Sequence, residues 1–134
     1  MKVVIDTNIW VSYLLGKSFE NIFNLIEQNN IEVFTSKKQL LELINTFQKP
    51  KLTKYISKED VNNLIFLFKY NFNFVSIPNK LKFLRDPEDD YLIEIATESN
   101  AEFIITGDKD LLVEKEYKGI KFITYSDFII FINN

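Results

Sequence analysis

A chain of 134 residues, 46% hydrophobic with 13 phenylalanines and 6 tyrosines, is long enough for one folded domain with a well-filled core. It has no cysteine, which excludes disulfides, zinc–thiolate sites and thiol nucleophiles, and no histidine, which excludes the commonest general base and any Ser-His-Asp triad. Any catalysis would therefore fall to carboxylates, hydroxyls, lysines or a bound ion, and the net charge of −3 is a mild objection to a polyanionic partner, since the distribution of charge matters more than its sum.

Lys2–Asp6 (KVVID) is an apolar run ending in a carboxylate, the pattern of a strand buried on both faces of a parallel sheet. Asp6-Thr7-Asn8 then turns into a short helix, Ile9–Leu15, stopped by Gly16. Ser18 is placed to cap a second helix over about Phe19–Asn29, with Phe19, Ile22, Phe23 and Ile26 at helical spacing. Ile31–Thr35 reads as the second strand. Ser36 and Gln39 spell a capping box, S-x-x-Q, for a helix expected to bury Leu40, Leu41, Ile44 and Phe47, with Glu42 in its first two turns. Pro50 interrupts that pattern in a basic loop, QKPKL. A further helix starts at Ser57-Lys58-Glu59-Asp60 and runs to about Tyr70, carrying Val61, Leu64, Ile65 and Phe68 inward. Phe74–Ile77 is a short third strand closed by Pro78.

Arg85–Leu112 (RDPEDDYLIEIATESNAEFIITGDKDLL) is the densest part of the message. Asp86, Asp89 and Asp90 crowd a helix start that Pro87 suits. The helix runs to about Asn100 and buries Leu92, Ile95 and Ala96, while Glu94 and Glu98 are expected to face solvent. Phe103–Thr106 is the fourth strand, Gly107 the turn, and Asp110–Val113 one helical turn. Lys121–Thr124 is the fifth strand, and Ser126 or Asp127 caps a final helix with Phe128, Ile129 and Ile132. There is no internal repeat or linker, so residues 1–134 are expected to form one domain. The class is α/β, an α/β/α sandwich around a mainly parallel five-stranded sheet. No apolar run approaches the ~20 residues of a membrane span. MKVVIDTNIW is too short in its apolar part, and too soon broken by Asp6, for a secretory signal. The expected location is therefore the cytoplasm.

In such sheets, sites form beyond the carboxyl ends of the strands. Asp6 and Asp108 lie at that edge, and Glu42 and Asp89 lie early in helices, so the four can converge. Clustered carboxylates repel and raise one another's pKa values unless a cation sits among them. Mg²⁺ and Mn²⁺ prefer such oxygen donors. Two divalent ions would balance roughly four carboxylates and could drive an in-line phosphoryl displacement without histidine. Each acid also has a plainer reading. Asp6 can simply cap the next helix, Asp86, Asp89 and Asp90 can complement a helix dipole, Glu42 can be solvated, and Asp108 and Asp110 can be turn residues. Asn8 and Thr106 are neutral groups able to hydrogen-bond water or a carboxylate. Lysines in the loops could make a groove locally positive around the acids, although a solvated mixed-charge surface would look the same.

VVIDTNIWVS, SKKQLLELINTFQKPKL and RDPEDDYLIEIATESNAEFIITGDKDLL together resemble the PIN domain, in particular PIN-family toxins of the VapC-like kind. The resemblance implies Asp6, Glu42, Asp89 and Asp108 as catalytic metal ligands, with Asp90 as the alternative to Asp89. It implies Asp86 and Asp110 as auxiliary acids, and Asn8 and Thr106 as supporting polar groups. The cofactor it implies is Mg²⁺ or Mn²⁺, and the reaction is cleavage of single-stranded RNA. The expected function is thus a metal-dependent endoribonuclease, the toxin of a type II toxin–antitoxin pair, often a homodimer held by its antitoxin. Lys49, Lys51 and Arg85 would meet the RNA backbone. A different class of reading is a non-catalytic PIN-like RNA- or protein-binding module. A receiver-like phosphate-transfer domain would need an Asp at the end of the third strand, where Pro78-Asn79 stands instead.

Overall fold

The computed structural model describes residues 1–16, 21–77 and 90–134, apart from the side chain of residue 90. Strands β1 (Lys2–Ile5), β2 (Glu32–Thr35), β3 (Asn73–Phe74), β4 (Phe103–Ile105), β5 (Glu116–Tyr117) and β6 (Ile120–Ile123) form one sheet in the order β3-β2-β1-β4-β6-β5. All neighbouring pairs are parallel except β5 with β6. The architecture is the expected α/β one, but the described residues hold six strands rather than five. The added strand comes from a tight hairpin: Lys118 and Gly119 both take positive φ, as a two-residue turn that follows the sheet's twist requires. The third strand is shorter and earlier than Phe74–Ile77.

The helices are α1 (Thr7–Leu14), α2 (Ile22–Gln28), α3 (Lys37–Phe47), α4 (Pro50–Thr53), α5 (Lys58–Asn71), α6 (Asp90–Ser99), α7 (Lys109–Glu114) and α8 (Tyr125–Asn133). Alternation along the central strands divides the core into two layers. Val3, Ile5, Val33, Phe103 and Ile105 face a layer built with α1, α2, α3, α5 and α8. Val4, Ile104 and Phe122 face α6 and Leu111 of α7. This is why KVVI and FII contain no polar interruption. In the first layer Trp10, fully buried, packs against Tyr13, Phe23, Phe68 and Phe72 with ring centroids 5.4–6.2 Å away.

Two helices end alike before entering a strand. Asn30 and Asn100 take left-handed φ of 52° and 57°. The next residues, Ile31 and Ala101, donate back to Ile26 and Ala96, while the asparagines donate to Glu27 and Thr97. These paired bonds satisfy the last carbonyls and turn the chain into β2 and towards β4.

Several local expectations are corrected. QKPKL is not a loop throughout: Pro50 opens the short helix α4, where its missing N–H costs nothing. Thr124, not Ser126 or Asp127, caps α8, its hydroxyl accepting from the Asp127 N–H at 3.1 Å. Leu41 is 51% exposed and Leu43 takes its place in the core. Glu94 is buried at 6% exposure rather than solvated, whereas Glu98 is exposed as expected. Ser18 and Phe19, read as the start of the second helix, lie outside the described residues, as does Pro78. Among the described residues no helix is long and apolar enough to cross a membrane.

Candidate functional site

The strand order places the site. From β1 the chain moves to β2 on one side, and β4 lies on the other, so the loops leaving β1 and β4 diverge and open a crevice at their carboxyl ends. Asp6 follows β1, and Thr106 and Asp108 follow β4. The Asp6 N–H donates to the Ile105 carbonyl at 2.9 Å, which locks the two strand ends together.

Asp6 caps α1, as its plainer reading held: Oδ1 accepts from the Asn8 N–H at 3.3 Å. It also does more. Oδ2 accepts from the Thr106 hydroxyl at 2.7 Å, and Thr106 Oγ1 in turn accepts from the Asp108 N–H at 3.0 Å. Asp108 Oδ1 accepts from the Asp110 N–H at 2.9 Å and caps α7. Burial raises the Asp6 carboxyl above its ordinary pKa; the bonds from Thr106 and Asn8 oppose that, and the Asp108 charge adds to it. Asp6 is thus a buried carboxylate at a cleft, near a second one.

The cleft, of about 840 Å³, is lined by Asp6, Asn8, Asp108 and Tyr91, by Lys38, Leu41, Glu42, Asn45, Thr46 and Lys49 of α3 and the segment after it, and by Lys51 of α4. At about 100° per residue, Leu40, Leu43, Ile44 and Phe47 share the core face of α3, and the opposite face carries the cleft residues. Leu41 is exposed because it belongs to that opposite face. The cleft therefore holds the Asp6 and Asp108 carboxylates at its strand-end side, and Glu42 together with lysines along α3 and α4.

Asp6, Glu42 and Asp108 open on this one cleft, as do Asn8, Lys49 and Lys51. Thr106 supports Asp6 from below. Asp110 is exposed and does not line the cleft; its backbone bonds Asp108. Arg85, Asp86 and Asp89 lie outside the described residues, and so does the side chain of Asp90. The carboxylates are the hard oxygen donors that Mg²⁺ or Mn²⁺ takes, so the donor type fits. Among the described residues, however, no three acidic side chains are grouped closely enough to hold one ion.

Sequence reasoning missed the polar support beneath the cleft. Gln39 does not reach back to complete a capping box. Ser36 Oγ does accept from the Gln39 N–H at 3.2 Å, but the Gln39 amide points inward. Its Nε2 donates to the Ile5 carbonyl at 2.6 Å and to Thr7 Oγ1 at 3.4 Å, and its Oε1 accepts from the Thr35 hydroxyl. Thr7 Oγ1 lies 3.1 Å from the Tyr91 hydroxyl, and Tyr91 and Glu42 line the same cleft within electrostatic range of each other. Burial, with the Glu42 and Asp6 charges, keeps that hydroxyl well above its ordinary pKa, so Tyr91 stays a neutral donor. The only hint in the sequence was a tyrosine directly after an aspartate pair.

The family model described as "PIN domain" matches residues 2–110. The chain is also similar to an uncharacterized protein of Methanocaldococcus jannaschii, with 39% identity over 128 residues, covering 90% of this chain and 80% of the relative.

Proposed function

Because the chain belongs to the PIN-domain family, whose members are generally nucleases, we propose that it is a metal-dependent endoribonuclease, acting as one domain over residues 1–134. The observation that carries this reading is the placement of Asp6, Glu42 and Asp108 on one cleft that Lys38, Lys49 and Lys51 also line. Asp6, Glu42 and Asp108, with Asp89, would hold Mg²⁺ or Mn²⁺. The ions, when bound, supply charge neutralisation at the phosphodiester and a lowered pKa for water, the two things a histidine-free site lacks. The lysines orient the RNA backbone, and Thr106 and the Asn8 N–H fix the Asp6 carboxylate. The likeness of VVIDTNIWVS and TGDKDLL to VapC-like proteins supports the finer proposal: a toxin of a type II toxin–antitoxin pair, homodimeric, cytoplasmic and bound by a protein antitoxin.

The test is cleavage of a single-stranded RNA oligonucleotide. Activity is expected with Mg²⁺ or Mn²⁺, none in excess chelator, and none for Asp108→Asn. Cleavage that survives chelation defeats the proposal. One observation favours a second reading, a PIN-like module that binds RNA or protein without cutting it: the lack of a three-acid grouping among the described residues. Calorimetry separates the two, since that module would take up no Mn²⁺ at millimolar concentration.

The lysines give an independent check. Single-strand binding should weaken with salt by a slope of about −0.7 per phosphate neutralised. Lys49→Ala combined with Lys51→Ala should flatten the slope by about 1.4. An unchanged slope in a filter-binding titration would place the RNA elsewhere.

A further inference from the structure

Glu42 presents a difficulty that Asp6 and Asp108 do not. Each aspartate caps a helix and is held by backbone N–H groups. Glu42 stands on the open face of α3, on a longer side chain whose rotamer freedom is worth up to about 2 kcal/mol. A carboxylate that must meet a cation at a fixed place has to lose that freedom.

The bonds beneath the cleft have a direction. The Thr35 hydroxyl donates to Gln39 Oε1, which fixes the amide with Nε2 towards Ile5 and Thr7. Thr7 Oγ1 accepts from Nε2 and lies 3.1 Å from the Tyr91 oxygen, a contact in which either hydroxyl can donate; with Thr7 donating, the Tyr91 oxygen is the acceptor. The Tyr91 hydrogen is then left for the Glu42 carboxylate, which lines the same cleft within electrostatic range. Thr35, Gln39 and Thr7 are at most 2% exposed and Tyr91 3%, so water does not compete for the bonds among these four. Tyr91 also cannot swing away: its ring is packed in the layer under α6, with Lys38 Nζ 5.3 Å from the ring centroid. A phenylalanine would fill the same space without bringing a hydroxyl among carboxylates, so volume alone does not account for a tyrosine.

We propose that Tyr91 is a positioning residue for Glu42, holding its carboxylate in the orientation that metal ligation needs through the line Gln39–Thr7–Tyr91. The inference rests on the reading of Glu42 as a metal ligand and adds how that ligand is held. A carboxylate has about four acceptor positions, so one bond from Tyr91 leaves the others free for a cation. Support of this kind is worth about 10–100-fold in metal affinity.

The experiment is calorimetric titration with Mn²⁺ of the wild type, Tyr91→Phe, Glu42→Gln and the double variant. Tyr91→Phe is expected to weaken Mn²⁺ by about tenfold or more, and the double variant to bind no more weakly than Glu42→Gln alone. That non-additivity is what a merely structural role would not produce. Thr7→Val keeps the Tyr91 hydroxyl but removes the group that orients it. It is expected to fall between wild type and Tyr91→Phe, and it carries the test if Tyr91→Phe does not fold. Glu42→Gln weakened with Tyr91→Phe unchanged, or losses that multiply in the double variant, overturns the positioning role and leaves Glu42 as a ligand. Wild-type affinity in Glu42→Gln, or no Mn²⁺ uptake by the wild type, overturns the ligand reading and the inference with it.

Discussion

Asp6→Asn is expected to abolish RNA cleavage, by at least about 10²-fold, and yet to raise the unfolding temperature measured in chelator. The two effects have one cause. The Asp6 carboxylate is buried, close to the Asp108 charge, and its pKa is raised by that burial. Without a cation, the charged form at neutral pH is the unfavourable one. Asparagine removes the charge while its Oδ1 can still accept from the Asn8 N–H and cap α1. The sign follows from linkage. A carboxyl raised in the folded state binds its proton more tightly there than in the unfolded chain. The stability this gives is present below the unfolded pKa and is lost as pH rises through the raised value. The asparagine side chain, which does not titrate, has no such dependence. The gain should therefore be absent in acid and reach about 1 kcal/mol, or a few degrees, near neutral pH. Melting curves in chelator from pH 4 to pH 8 give the comparison. An Asp6→Asn variant that cuts RNA as well as the wild type does, or that melts lower than wild type at pH 7, removes Asp6 from the proposed role.

The strand–carboxylate junctions were legible because burial on both sheet faces leaves a short run no choice but Val and Ile. A polar residue ending such a run stands out, and Asp6, Thr106 and Asp108 all mark ends of that kind. Glu42 was legible as an acid early in a helix that follows a strand. The support beneath it was not. Gln39 sits three residues after Ser36, the spacing that local capping also uses, and spacing cannot say that its amide turns inward to β1. Leu41 and Leu43 are neighbours in an apolar run, and only the partner surfaces tell which faces the core. Glu94 is surrounded by apolar residues, yet on a helix alone it reads as solvated. The Lys118-Gly119 hairpin lacked the Asn-Gly or Asp-Gly pair that signals such turns most strongly. Apart from that local turn, each miss concerns a tertiary partner distant in sequence, which periodicity does not encode.

Gln39→Leu is expected to cost about 3 kcal/mol of stability, close to a 10 °C fall in melting temperature for a chain of this length. Leucine has nearly the volume of glutamine, so no cavity is opened. What it removes is the acceptor for the Thr35 hydroxyl and the donor to the Ile5 carbonyl and Thr7 Oγ1. These groups are buried, and each one orphaned costs about 1–3 kcal/mol, partly offset by the added apolar surface. Leu43→Ala makes the right comparison. It stands on the core face of the same helix, fully buried, and should lose about 2–5 kcal/mol through a cavity. Both variants would be destabilised, but only Gln39→Leu should also weaken Mn²⁺, because only Gln39 is joined through Thr7 and Tyr91 to Glu42. Gln39→Leu melting within about 2 °C of wild type would show that these buried groups find other partners. Equal Mn²⁺ affinity in both variants would show that the amide braces the sheet alone and has no bearing on the cleft above it.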